Sequence, residues 1–220
     1  MALESWDDDG NHAPDRQGDM VITKPFPNMP IGFWPLNEEG RKRYRAAYFE
    51  AYPTKKPAVW THGDWIEVSS LTGGVMVYGR SDGVLNPGGV RFGSSEIYSV
   101  VEKIEEVEDC LAIGQKLPDS DERFVLFLKP RTSPLSPAVV DKVKSSIRSM
   151  LSTRHVPAVV VELKKIPYTN NMKRLEVPVK KLVNGVRYES LNLSSAEDPE
   201  CLRVFVNHPE LVIAPVKTKL

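Results

Sequence analysis

The sequence predicts an α+β protein: a small domain with a short, mostly antiparallel sheet and flanking helices, preceded by a β-rich stretch. Three observations lead there. From Asp82 onward apolar residues recur at helical and then strand spacing, in the order helix, strand, strand, helix, strand, helix. Ahead of Asp82, the runs "DWIEVSS" and "GGVMVYGR" flank glycines that suit a hairpin turn. A chain of 220 residues with 41% hydrophobic content can bury a real core, and its length allows one or two domains of roughly 100–200 residues each.

Taken in order, residues 5–18, "SWDDDGNHAPDRQG", are acidic and turn-rich and read as a loop or hairpin. "DMVITKPFP" is a short strand stopped by its prolines. "GRKRYRAAYFEAYP" reads as a helical turn packing Tyr44, Tyr48 and Phe49, its basic residues forming a solvated face. Past Asp82, Ser94 or Ser95 is placed to cap a helix whose Ile97, Val100, Val101 and Ile104 share a side. "EDCLAIGQKL" and "RFVLFLKP" read as neighbouring strands joined by the acidic turn "PDSDE". Ser136 as cap and Pro137 at the first helical position open the most strongly signalled helix, with Val140, Val143, Ile147 and Met150 or Leu151 along one face. "PAVVVELKKI" is a third strand, and "VPVKKLVNG" a last helix stopped by Gly185. From Val186 the pattern fades.

Composition narrows the function. Lys and Arg number 29 and Asp and Glu 29, so no global field draws the chain to nucleic acid or to an anionic membrane. No apolar run reaches the roughly 20 residues of a membrane span. Two scattered cysteines, Cys110 and Cys201, fit neither a disulfide framework nor a zinc site, and a reducing, cytoplasmic setting is the expectation. The last residues, Thr218, Lys219 and Leu220, come near a peroxisomal address but lack its serine.

Three segments hold residue types suited to anionic ligands. In "GRSDGVLNPGGVRFGSSEI" Arg80 has a planar fork for a phosphate or ribose. Asp82 and Gly83 mark the seam between the two textures, a natural hinge. Gly88 and Gly89 leave a bare backbone that a ligand can pass closely, and Arg91 adds a second cation. Asp64 in "THGDW" is placed just before a strand, where a carboxylate can accept both hydroxyls of a ribose or simply complete a turn. Lys173 in "KIPYTNNMKRLEVPVKK" sits in a polar turn between a strand and a helix. Each segment alone reads more readily as turns and solvated surface.

Together "HGDW", "GRSDGVLNPGGVRFGSSEI" and "IPYTNNMK" resemble the C-terminal signature series of the adenylate-forming acyl-CoA synthetases, and the resemblance extends to about Pro209. Within that superfamily, "FWP", "AAYFEAYP", "EEVEDCLAIGQ" and "STRHVPAVVVELKKIPYT" look most like the acetoacetate-activating branch. The resemblance implies that residues 1–81 are the end of a large AMP-binding domain, 82–185 a mobile lid and 186–220 an extension. It also implies that the superfamily's phosphate loop, adenine pocket and acyl pocket lie upstream of this chain.

By that resemblance Lys173 is the catalytic lysine of adenylation, and Asp64, Arg80 and Arg91 face the nucleotide. Asp82 is the hinge, and Gly88, Gly89 and, more loosely, Arg148 face CoA; no metal ligand is assigned. The implied reaction joins acetoacetate to CoA with ATP and Mg2+, through an acyl-adenylate, giving acetoacetyl-CoA, AMP and pyrophosphate. The implied partners are these small molecules, with no nucleic acid and no membrane, and the large-domain half within a longer product or encoded separately. The isolated chain is then expected to be inactive. The alternative is a non-catalytic CoA- or nucleotide-binding lid module, or a truncated product with a regulatory role or none. In one respect the resemblance breaks: where the superfamily places a glycine before the lysine, this chain has Met172.

Overall fold

The computed structural model describes residues 1–118 and 121–212. The chain divides into two compact units, Met1–Asp82 and Gly83–Leu220. The expected turn "PDSDE" falls partly on residues 119 and 120, and the terminal Thr218, Lys219 and Leu220 also lie outside the described residues.

The first unit is a four-stranded antiparallel meander of β1 (Leu3–Trp6), β2 (Gln17–Ile22), β3 (Trp60–Val68) and β4 (Val75–Arg80), paired in chain order. The acidic stretch 7–16 joins β1 to β2. The basic-aromatic segment forms more than a turn: α1 spans Glu38–Tyr48, and the Asn37 side chain caps it by accepting the Gly40 N–H at 3.0 Å. Tyr48 lies flat on Trp60, ring centroids 3.8 Å apart, which ties α1 to β3. Trp6, Val21 and Val59 form the adjoining buried cluster.

The second unit is built on β5 (Val107–Lys116), β6 (Glu122–Pro130) and β7 (Val159–Glu162), the first pair antiparallel and the second parallel. The parallel pair needs a crossover, supplied by α3 (Pro137–Met150), which Ser136 caps at the Val139 N–H. Both faces of this sheet are covered, so β6 is apolar almost without interruption. On one face Cys110, Ala112, Phe124, Leu126 and Leu128 pack against α2 (Ser94–Val101) and α3. On the other, Leu111, Ile113, Val125 and Phe127 meet α4 (Glu176–Val183) and the segment beyond it.

Two expectations need correction. Neither Ser94 nor Ser95 is the cap of α2; Gly93 holds that position, its N–H donating to Glu96 Oε1 at 2.9 Å, while the Ser94 hydroxyl is taken by Glu176 at 2.9 Å. The patternless tail also has structure: short 3-10 turns at Pro199–Phe205 and Pro209–Leu211 insert Leu202, Phe205 and Leu211 into the α4-side core. Gln115 and Arg123 donate to the Leu211 carbonyl at 2.8 and 3.2 Å and fasten it to the sheet.

Candidate functional site

In the first unit, Asp64 lies inside β3 and not ahead of it, directly opposite Arg80 on β4. The register of β3 against β2 is irregular here, with Asp19 opposite Trp65 and Val21 opposite Thr61, as at a bulge that re-aims a side chain. Gly63 occupies this irregularity with φ +82°, and a Cβ there would sit 2.7 Å from Arg80 Nη2. A bare backbone is therefore what lets the guanidinium lie down beside the strand. Arg80 Nη1 then donates to the His62 carbonyl at 3.3 Å and reaches Asp64 Oδ1 at 3.5 Å. His62 Nε2 stands 3.7 Å from the other carboxylate oxygen. Asp64 is mostly shielded while Arg80 is more than half exposed, a carboxylate edged by a cation with its fork turned to solvent.

Asp82 follows at once, in a 3-10 turn, Ser81–Gly83, at the boundary between the units. Its side chain is exposed, 3.6 Å from Arg80 Nε. Thus Asp64, Arg80 and Asp82 form one linked set at the end of the β3–β4 pair.

In the second unit, Gly88 and Gly89 share an exposed turn, with φ +59° and +78°. Gly88 N–H donates to Asp121 Oδ1 at 3.0 Å. A Cβ on Gly88 would meet Arg154 Nη1 at 3.3 Å, whereas one on Gly89 would meet nothing within 4 Å. The open side of the turn is therefore at Gly89. Arg91 is exposed next to this turn, and Arg148 is exposed on α3, a separate element.

Lys173 is exposed on a tight loop ahead of α4. Tyr168 and Arg174 pair across the loop, Thr169 N–H donates to the Lys173 carbonyl at 2.8 Å, and Lys173 N–H donates to Thr169 Oγ1 at 3.1 Å. The main chain is held and the ammonium stem is left to solvent. Met172, where a glycine was expected, has φ +56° and a side chain 73% exposed. This is the left-handed region that glycine enters without strain, so the backbone keeps the glycine-like shape and Met172 pays the steric cost.

Sequence reasoning missed what supports the loop. The tail pairs with it, Thr169 bridging Ala196 and Asn170 N–H donating to the Ser195 carbonyl at 2.9 Å. Tyr168 donates to Asp109 at 2.9 Å, and burial followed by that bond raises its pKa to about 12. Among the described residues no group of three or more His, Cys, Asp or Glu side chains is arranged to hold a metal ion.

No family model matches the chain. It is 46% identical over 212 residues to the acetoacetyl-CoA synthetase of Gallus gallus, covering 96% of this chain and 31% of that protein. Against the acetoacetyl-coenzyme A synthetase of Rhizobium meliloti it is 40% identical over 212 residues, covering 96% of this chain and 31% of the relative. The solved acetoacetyl-CoA synthetase from Streptomyces lividans superposes with a TM-score of 0.81 at 40% identity, over 92% of this chain and 30% of that one. The chain spans about 30% of the length of the relatives it matches.

Proposed function

The chain is homologous to the acetoacetyl-CoA synthetases, acid–CoA ligases of the AMP-forming kind, and we propose that it carries the hinge and lid of a ligase that joins acetoacetate to CoA. In the first half-reaction the acetoacetate carboxylate attacks the α-phosphorus of ATP and pyrophosphate leaves. Negative charge spreads over the phosphoryl oxygens, and a positioned ammonium stabilises it where it develops; Lys173 has that role. Asp64 accepts the ribose hydroxyls, and Arg80, with Arg91 on the lid, faces the nucleotide phosphate.

In the second half-reaction the CoA thiol attacks the acyl carbonyl and AMP departs. Rotation at Asp82 withdraws Lys173 and brings the Gly88–Gly89 turn to the cleft, a hinge motion of one body on another. The pantetheine arm passes on the open side at Gly89, and Arg148 receives a CoA phosphate. The observation that carries this reading is the division of the chain at Asp82, immediately after the Asp64–Arg80 pair, with an exposed lysine on a held main chain in the following unit.

The test joins all 220 residues in frame to the part of the Streptomyces lividans synthetase that they do not match, and follows ATP–pyrophosphate exchange. Exchange that requires acetoacetate is expected from the hybrid and none from the chain alone. A folded hybrid without exchange, or exchange by the chain alone that Lys173→Ala abolishes, contradicts the proposal.

A further inference from the structure

We propose that Arg174 is a positioning residue: a shielded cation, pinned between α2 and β5, that fixes the main chain of the Lys173 loop. The proposal rests on the reading that Lys173 serves adenylation, and it adds the group that aims the lysine. Arg174 Nη2 donates to Glu102 Oε1 at 2.7 Å, just past the end of α2, and to Asp109 Oδ1 at 2.8 Å on β5. Its guanidinium carbon lies 4.2 Å from the ring centroid of Tyr98 on α2, a cation over an aromatic face. Arg174 and Asp109 are each about four-fifths shielded, so this pair is far less screened than a surface ion pair. Burial opposes the charge, but the hydrogen bonds to Asp109 and Glu102 raise the Arg174 pKa above its ordinary value.

The surrounding bonds make the loop one braced piece. The other Asp109 oxygen accepts from Tyr168 at 2.9 Å, so a single carboxylate holds both partners of the Tyr168–Arg174 bridge. Two residues after Arg174, Glu176 Oε1 accepts from Tyr98 at 2.6 Å and from Ser94 at 2.9 Å, and the Tyr98 hydroxyl accepts the Ala112 N–H at 3.1 Å. Lys173 is therefore flanked on its C-terminal side by anchors to both α2 and β5, while its own side chain is exposed. A lysine that must enter and leave a reacting centre needs this division, because the swing of a whole lid delivers the ammonium accurately only when its attachment does not flex.

One geometric detail sets the choice of variant. Both carboxylates are reached through the same nitrogen, Nη2, so a lysine at this position can offer both contacts from one ammonium while giving up the guanidinium's contacts with the Tyr98 and Tyr168 rings.

The first measurement is amide hydrogen exchange on the full 220-residue chain. Arg174→Leu is expected to speed exchange of the Thr169 and Lys173 amides by at least about tenfold more than that of the β5 and β6 amides, and Arg174→Lys to recover most of the loss. Unchanged loop amides, or a rise shared by every amide of the unit, overturns the proposal. Should Arg174→Leu fail to fold, Glu102→Gln replaces it, since Glu102 is half exposed. A smaller acceleration at the same two amides is then expected, and none overturns the proposal.

The second measurement uses the hybrid ligase. Arg174→Leu (or Glu102→Gln, with a smaller effect) is expected to lower kcat for adenylation by up to about 100-fold, with KM for ATP and the conversion of supplied acyl-adenylate by CoA within about twofold. Equal losses in both half-reactions overturn the positioning role. If Lys173→Ala leaves adenylation intact, the catalytic reading fails, and the hold of Arg174 on the loop is decided by exchange alone.

Discussion

Replacing Gly63 by alanine tests the geometry of the Asp64–Arg80 pair. Gly63 has φ +82°, and its Cβ would stand 2.7 Å from Arg80 Nη2. A non-glycine residue held in the left-handed region costs on the order of 1–3 kcal/mol. Arg80 must also move, because its flexible end yields more easily than the strand. The ion pair it leaves is 3.5 Å long, with Arg80 54% and Asp64 22% exposed, and a pair so open to water contributes about 0.2–1 kcal/mol. Backbone strain is thus the larger effect and the lost pair the smaller. Gly73→Ala separates them, since Gly73 has φ +69° with nothing within 4 Å of its Cβ and suffers strain alone. All four tryptophans, Trp6, Trp34, Trp60 and Trp65, lie in the first unit, so intrinsic tryptophan fluorescence in a urea titration reports on that unit. With a slope of about 1 kcal/mol/M for a small domain, both variants should lower the midpoint by about 1 M or more. Gly63→Ala should lose a further few tenths of a kcal/mol and, in the hybrid ligase, raise KM for ATP. Equal midpoints for the two variants, with KM unchanged, would refute the reasoning.

Two further outcomes concern the second unit. Phe205 is 1% exposed and meets Phe127 edge to face at 5.0 Å; Phe205→Ala should cost about 3–5 kcal/mol, read as a fall in melting temperature by circular dichroism, and a loss below about 1 kcal/mol would mean that the tail is not part of the core. Burial lowers the pKa of His155, against the opposing pull of Glu96. The folded state therefore holds fewer protons at this site than the unfolded chain. The stability it contributes is complete above the unfolded value near pH 6.5 and declines as pH falls below it. Urea midpoints of the second unit, followed by circular dichroism at pH 7.5 and 5.5, should show that decline in the parent and a shallower one in His155→Gln, and identical slopes would count against it.

Much of the fold was legible because local chemistry and packing agree. Ser136 and Pro137 announce α3, Gly185 with φ +85° ends α4, and the unbroken apolar run of β6 follows from a sheet covered on both sides. The readings that failed depend on distant partners. Ser94 looks like a cap but spends its hydroxyl on Glu176, 82 positions away. Leu202 and Phe205 sit in one short 3-10 turn and Leu211 in another, too few core residues in each to establish a helical or strand period. Asp64 was expected just before a strand, yet it lies inside β3, where Gly63 serves an irregularity that only the pairing with β2 reveals. At the lysine loop, Lys173 stood out by resemblance, whereas Arg174 did not, because its partners Glu102, Asp109 and Tyr98 converge only in three dimensions.

The lysine's part in the chemistry is tested most directly by measuring the two half-reactions of the hybrid ligase separately for Lys173→Ala. The account predicts that acetoacetate-dependent ATP–pyrophosphate exchange falls by about 100-fold or more, while supplied acetoacetyl-adenylate is converted by CoA within about twofold of the parent rate. A loss of the same size in both half-reactions would contradict it.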